Sequence, residues 1–370
     1  MGKKSVALLG TGFGKIVHLH GFQSCIETEV TVVYNQDIAK AKEVADKFNI
    51  PQVSNKILEI IKMPDIQIVS IALPSFMHYE VAKEAIKAGK HILLEKPTTL
   101  NVQQALELYH LAQDKNVIIA VDFLFRYVPH WRYLKDLLSK NSVGKKRLIT
   151  IEFLVQNRAD KNRIWNWYSQ KALGGGALGG HGSHIFDYIS WLFSPVKSLT
   201  GKLITSIPEL RDLNGEMRSV DADDTCSLLL ELTDKTPCHI CISGTTYGGV
   251  GHKIAVYGDA GTLILSNSRQ DDYIHGFKLQ QVKIDDKEVL ELPLPCQYNL
   301  PQIFPEGRLA PFIALCEDFI KAINSKSPMT PGLREGVYSR LLMDLTYQSN
   351  LQEKWVEVPN LENLLSTNKV

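Results

Sequence analysis

The chain has 370 residues, with 41 basic and 40 acidic side chains and a formal net charge of +1. That balance gives no field for gathering nucleic acid or an anionic membrane, and no run of about 18 apolar residues is available to span a bilayer. A composition of 44% apolar and 22% charged residues describes an ordinary globular protein, and the length exceeds one usual core, which predicts two domains.

The apolar run at the amino terminus is too short for a secretory signal. The cysteines at 25, 226, 238, 241, 296 and 316 are scattered, and Cys238 and Cys241 fall on opposite faces of an alternating strand. Reduced thiols and a cytoplasmic location are expected.

From residue 5 to 122, short apolar strands ("SVALLG", "VTVVYN", "IQIVSIAL", "KHILLE", "VIIAVDF") alternate with helical stretches. This rhythm predicts a parallel sheet covered on both faces. From about 147 it changes to strands joined by turns, including "KRLITIEFLVQ", "TCSLLLELTD", "HKIAVYGDAGTLILS" and "FKLQQVKID", which predicts a mainly antiparallel sheet. Two long helical patterns close the chain. The expected architecture is an α/β domain over 1–124 and an α+β domain with a large, mostly antiparallel open sheet over 125–370. The last helices are expected to pack back on the first domain.

Gly10, Gly12 and Gly14 lie between the first strand and the first helix. Gly10 permits the tight turn, Gly12 permits close approach of a pyrophosphate, and the helix amino terminus supplies N–H groups. Lys15 stands at the usual third glycine, so the fingerprint is imperfect; its place in the first βα unit carries the nucleotide reading. At the end of the second strand, about 20 residues past the glycines, an acid commonly binds the ribose of NAD. This chain has Asn35, which adds no repulsion against a 2′-phosphate, and Lys40 follows one turn into the next helix. The cofactor expected is NAD(P), with a lean to NADP.

The strand His91–Leu94 runs straight into Glu95, Lys96 and Pro97. Ligands of open α/β sheets bind outside the carboxyl ends of the strands, so a lysine there can hydrogen-bond a substrate oxygen. Further on, "GGGALGGHGSHIFDYISWLF" predicts a helix over 177–193 with His181, His184 and Tyr188 on one face. A His-x-x-His zinc site lacks a clear third ligand, so no metal is expected.

With this order and spacing, "GTGFG" at 10–14, "EKP" at 95–97 and the glycine-rich helix start resemble the Gfo/Idh/MocA oxidoreductases, over nearly the whole chain. The resemblance implies a Rossmann domain followed by an open-sheet domain that commonly serves in oligomer contacts. It implies a cis peptide before Pro97 that turns Lys96 toward the nicotinamide, and His184 as general acid/base. Further cofactor contacts are expected from Phe13, Leu73, Pro74, His78 and Glu95. The family pattern places an aspartate four positions before that histidine; Gly180 stands there, and His181 is a candidate substitute.

Substrate contacts are expected from Arg126 in "VDFLFRYVP" and from Arg163 and Trp165 in "QNRADKNRIWNWYSQK", besides His181, since aromatic faces and arginine forks suit polyols and sugar acids. Packing of the loop against the sheet is the competing reading for the tryptophans. The acidic "VDADD" at 220–224 is read as a solvated turn.

The expected activity is an NAD(P)-dependent dehydrogenase or reductase acting on a secondary alcohol or carbonyl of a sugar, cyclitol or related small molecule. Lys96 and His184 would be catalytic, with Glu95 and His181 in support. The rivals are a non-catalytic nucleotide-binding sensor of the same fold and a reductase of a non-sugar carbonyl. A homodimer or homotetramer through the second sheet is expected.

Overall fold

The computed structural model describes residues 2–285 and 288–366. The chain divides into two compact units. The first comprises residues up to Leu124, Gln302–Arg340 and the segment from Leu365; the second comprises Phe125–Pro301 and Leu341–Leu364.

The first unit carries strands β1 (Lys4–Leu9), β2 (Thr28–Tyr34), β3 (Gln52–Ser54), β4 (Ile68–Ile71), β5 (His91–Leu94) and β6 (Ile119–Val121). Among the described residues they form one six-stranded sheet in the order β3-β2-β1-β4-β5-β6, with every neighbouring pair parallel. This is the doubly wound dinucleotide-binding order, with its topological switch at β1/β4. Val6–Leu9, Ile68–Ile71 and Ile92–Leu94 are fully buried, as a sheet with two covered faces requires.

The crossovers are α1 (Leu19–Ser24), α2 (Ile38–Phe48), α3 (Ile57–Ile61), α4 (Ser75–Lys87) and α5 (Val102–Asp114). Asp37 caps α2 through the Ala39 N–H, and Asn101 caps α5 through the Gln104 N–H. A π-helical turn, Gly14–His18, precedes α1. Late in the chain, Gly332 bridges Ala120 of the edge strand β6.

The second unit begins with α6 (Pro129–Ser139), β7 (Lys146–Leu154), a π-helical turn at Leu178–Gly182 and α7 (Ser183–Leu192). The strands β8 (Val196–Ile204), β9 (Glu209–Arg211), β10 (Met217–Ser219), β11 (Thr225–Leu232), β12 (Pro237–Ser243), β13 (Gly251–Gly258), β14 (Gly261–Asn267), β15 (Lys278–Lys283) and β16 (Leu290–Glu291) follow. The helices α8 (Leu309–Ser325) and α9 (Leu333–Gln352), the strand β17 (Val356–Glu357) and α10 (Leu361–Ser366) end the chain.

Among the described residues, nine strands form one sheet in the order β16-β15-β14-β13-β7-β12-β11-β8-β17, and β9 pairs β10 in a separate ribbon. Every neighbouring pair of the large sheet is antiparallel except β7–β12. Burial alternates along β11 and β12, so Cys238 is buried while Cys241 is half-buried on the other face.

Two local expectations are corrected. "HKIAVYGDAGTLILS" is a hairpin, β13–β14, turning at Asp259–Ala260 rather than one strand. The helix expected over 177–193 opens with the π-helical turn, so α7 proper starts at Ser183.

Candidate active site

At the carboxyl end of the first unit's sheet, Gly10 takes φ +113°, and a Cβ there would run into the Ala72 carbonyl, so no other residue fits that turn. A Cβ on Gly12 would meet no protein atom within 4 Å; its α-carbon faces open space, which is what backbone approach to a pyrophosphate needs. The N–H groups of the following turn stand at the start of the helical segment from Gly14. These residues fit a dinucleotide. Phe13 lies under the Arg308 guanidinium, 4.9 Å from its ring centroid.

Asn35, just past β2, gives its amide N–H to Thr11 Oγ1 and accepts from the Asp37 N–H at 2.8 Å. It therefore ties the end of β2 to the glycine turn. Lys40 lies 3.9 Å from Asp37 on the surface.

The peptide Lys96–Pro97 is cis. Buried His78, on α4, places its ring nitrogens 2.8 Å from the carbonyls of Pro97 and Leu73. Burial lowers its titration, so the ring is neutral near pH 7 and its single N–H serves one carbonyl at a time. It spans the Pro97 turn and the Leu73–Pro74 loop that leads into α4.

Behind Lys96 sits a cluster that sequence reasoning missed. Leu94 and Val121 are register partners on adjacent parallel strands, so the next residues, Glu95 and Asp122, come side by side. A carboxyl oxygen of one lies within 4.8 Å of a carboxyl oxygen of the other. His18, fully buried at the end of the π-helical turn, reaches Glu95 Oε1 from Nε2 at 2.9 Å and Ser70 Oγ from Nδ1 at 2.7 Å. Its ring packs on Phe312 with centroids 4.5 Å apart. Ligand atoms of His18, Glu95 and Asp122 lie within 4.8 Å of one another, and His18 and Glu95 are hydrogen-bonded to each other directly. Burial lowers the His18 pKa to about 4, against a smaller opposing effect of Asp122. Burial raises Glu95, and raises Asp122 well above the usual carboxylate range, with the neighbouring Glu95 charge adding to the latter.

In the second unit, His184 is buried on α7 with its ring 5.1 Å from Phe125, edge to face. His181 lies in the π-helical turn, 4.3 Å from the Phe153 ring. Arg126 forms a buried fork with Asp187: Nε donates to Oδ2 at 2.9 Å and Nη2 to Oδ1 at 2.6 Å. Its guanidinium is thus held by α7. Trp165 donates its indole N–H to the Ser219 carbonyl at 2.9 Å and pins its loop to β10.

Arg158, Arg163, Tyr168, His181 and Asp223 line one small cavity. The Arg158 guanidinium stacks 3.7 Å over the Tyr168 ring. Burial pushes the Tyr168 phenol up to about 12, so it stays protonated and can donate. A Cβ on Gly180 would collide with the Tyr168 hydroxyl, its next nearest atom being Cζ at 3.2 Å. The space a side chain at 180 would need is therefore filled by a phenol from another segment.

The reading of 220–224 as a solvated turn is corrected. Asp223 and Asp224 are buried; Asp223 Oδ2 accepts from the Leu178 N–H at 2.7 Å, and Asp224 accepts from Ser206 and Ile207. Five acids and apolar residues in a row do not reveal that the neighbouring turn offers them buried donors.

Residues 4–123 match the family described as an oxidoreductase family with an NAD-binding Rossmann fold, and residues 131–264 match the GFO/IDH/MocA C-terminal domain. An uncharacterized oxidoreductase of Synechocystis sp. is 44% identical over 364 residues, 98% of each chain. The chain belongs to the GFO/IDH/MocA oxidoreductase family. Levoglucosan dehydrogenase of Pseudarthrobacter phenanthrenivorans is 26% identical over 348 residues, 87% of each chain. A solved levoglucosan dehydrogenase in complex with NADH and levoglucosan superposes with a TM-score of 0.86 at 25% identity, covering 96% of this chain and 99% of that one. Family membership accounts for the two-unit architecture and for NAD(P) as the cofactor class. Among the described residues no helix is long and apolar enough to cross a membrane.

Proposed function

We propose that this GFO/IDH/MocA protein is an NAD(P)-dependent dehydrogenase or reductase that interconverts a secondary alcohol and a carbonyl on a sugar, cyclitol or related polyol. The observation that carries the reading is Lys96 just past the carboxyl end of β5, on the sheet edge that also bears the Gly10–Gly14 turn. The similarity to levoglucosan dehydrogenase supports a polyol-type substrate.

When bound, the nicotinamide group supplies the hydride chemistry. The protein's own tasks are to hold the reacting oxygen and to move its proton. Lys96 hydrogen-bonds that oxygen and offsets negative charge developing on it. His184 takes or returns the proton. Gly12, whose α-carbon faces open space, and the N–H groups from Phe13 onward hold the phosphates. The lean to NADP(H) rests on Asn35, which brings no carboxylate to the end of β2. The sheet of the second unit, with Leu229 and Tyr257 partly exposed, is proposed as the face through which copies of the chain assemble.

A panel of sugars and polyols, scored by nicotinamide absorbance, tests the activity. With an active substrate, Lys96→Ala should lose about a hundredfold or more in kcat while cofactor affinity changes by less than about threefold. Near-wild-type turnover in that variant would overturn the assignment. Gly180, in place of an acid, is the one observation favouring a non-catalytic sensor; tight cofactor binding with no turnover across the panel would select it.

A further inference from the structure

The buried cluster behind Lys96 has a charge problem that its geometry resolves. Two carboxyl groups, Glu95 and Asp122, stand side by side in a buried site with oxygens within 4.8 Å, and two carboxylates so close and so enclosed do not both ionise, so one of the two holds a proton. The donors facing each group decide which. Glu95 receives the His18 Nε2–H at 2.9 Å, and the charge of Lys96 lies beside it. Asp122 is only 2% exposed, and His18 Nε2 stands 4.0 Å from its Oδ2, beyond hydrogen-bond reach. Its Oδ1 has no hydrogen-bond partner among the described residues. Glu95 is solvated by the protein as an anion, and Asp122 is not.

We infer that Asp122 is a positioning residue that holds a proton at neutral pH and donates it to Glu95, fixing Glu95 as the single negative charge against which Lys96 is set. The role given to Lys96 rests on the proposed function; the proton on Asp122 does not. The hydrogen bonds then run in one direction. Ser70 O–H donates to His18 Nδ1, His18 Nε2–H donates to Glu95, and Asp122 O–H donates to the same carboxylate. His18 is neutral, in the tautomer with hydrogen on Nε2. The other ionisable groups bearing on the cluster are Arg308, ahead of α8 and acting on Glu95, Cys316 on α8, facing Asp122, and His78 on α4, near Lys96 and His18. None supplies a second negative charge at neutral pH, because burial and the neighbouring Cys25 keep the Cys316 thiol protonated.

The assignment makes an asymmetric forecast. Asparagine is nearly isosteric with protonated aspartic acid and can give Glu95 an N–H, so Asp122→Asn should be close to silent. Glu95→Gln keeps the shape but deletes the charge beside Lys96, so it should not be.

Difference infrared spectra of the full-length protein carrying isotope-labelled aspartate should show a protonated-carboxyl stretch at pH 7 that is absent in Asp122→Asn. Absence of that band in the wild type would overturn the proton assignment, as would stoichiometric metal found in the purified protein and lost in Asp122→Asn. Acylation of Lys96 by a limiting amine reagent, read by peptide mass spectrometry without any substrate, tests the consequence. Glu95→Gln should change the rate by about tenfold and Asp122→Asn by less than about twofold, because only the first substitution deletes the charge beside the amine. Equal effects of both substitutions would refute the positioning role. If a substrate is in hand, kcat should fall by about tenfold or more in Glu95→Gln only; failure of that arm with the infrared and acylation results intact would count against the proposed function, not the acid pair.

Discussion

His252 gives the sharpest forecast of stability against pH. It lies on β13, 1% exposed, stacked on Phe153 with centroids 4.3 Å apart and planes 4° from parallel, and bordered by Phe125 and Trp131. The Tyr188 hydroxyl meets Nε2 at 3.1 Å, and no carboxylate stands against the ring among the hydrogen bonds described. Burial, with a smaller contribution from His181, lowers its pKa from 6.5 to about 3. The folded value is depressed, so the stabilisation is fully present above pH 6.5 and is lost as pH falls from there toward 3. Across the whole window the loss is about 5 kcal/mol, and between pH 7 and 5 about 2 kcal/mol, at 1.36 kcal/mol per pKa unit.

Urea unfolding at both pH values, followed by tryptophan fluorescence, measures it, since Trp131 lies 5.1 Å from the imidazole. His252→Phe keeps the aromatic stack and removes the titration. It costs stability at pH 7, because the Tyr188 hydroxyl loses its acceptor, by about 1–3 kcal/mol. The difference between wild type and variant should then shrink by about 2 kcal/mol at pH 5. Curves that stay parallel within about 0.5 kcal/mol, after checking that the slopes agree, would refute the buried neutral imidazole. His18, lowered to about 4 in the other unit, adds its own acid sensitivity in both proteins and so cancels from the comparison.

Removing one side of the buried Arg126–Asp187 fork should destabilise the second unit by about 3–5 kcal/mol in either Arg126→Ala or Asp187→Ala, with the double variant costing far less than the sum; additive losses in denaturant titrations would show the fork is not the source. Fluorescence titration should find NADP(H) bound at least as tightly as NAD(H), and a preference for NAD(H) beyond about tenfold, or 1.4 kcal/mol, would defeat the argument from Asn35. Light scattering at micromolar concentration should show a homodimer or homotetramer; a monomer would remove the second unit's sheet as an assembly face.

Some of this was legible because it follows from short-range rules. Alternating strands and helices up to residue 122 announce a parallel sheet, and the glycines at 10, 12 and 14 announce a phosphate turn, because each depends on local period or backbone freedom. The Glu95–Lys96 charge at the end of an apolar strand was visible for the same reason. Asp122 carries the same signal, an acid directly after the apolar "VIIAV", and could have been found by applying the same rule twice. His18 could not. Its importance comes from β4, β5 and α8 closing around it, and "KIVHLH" gives no hint that Ser70 and Phe312 are its neighbours. The π-helical turns were also illegible, since a one-residue surplus in a helix leaves the apolar spacing almost unchanged over so short a stretch.

Gly180 is the departure from the family pattern on which the catalytic reading turns, and its neighbour Tyr168 makes the departure testable. The Tyr168 hydroxyl occupies the volume a Cβ at 180 would need, and the Arg158 guanidinium, 3.7 Å over the ring, opposes its swinging aside. Gly180→Asp alone should therefore overpack the cavity shared by Arg158, Arg163 and His181, costing about 1–3 kcal/mol. Tyr168→Ala alone should leave a cavity and cost about 3–5 kcal/mol. Combined, the two should relieve one another: the new side chain enters the space the ring has left, and its carboxylate meets two arginines in place of a phenol. The double variant should then be more stable than the sum of the singles by at least about 1 kcal/mol, read from urea unfolding of all four proteins. Strict additivity would mean that the glycine at 180 and the tyrosine at 168 are independent features, and that the missing acid has no structural counterpart in this chain.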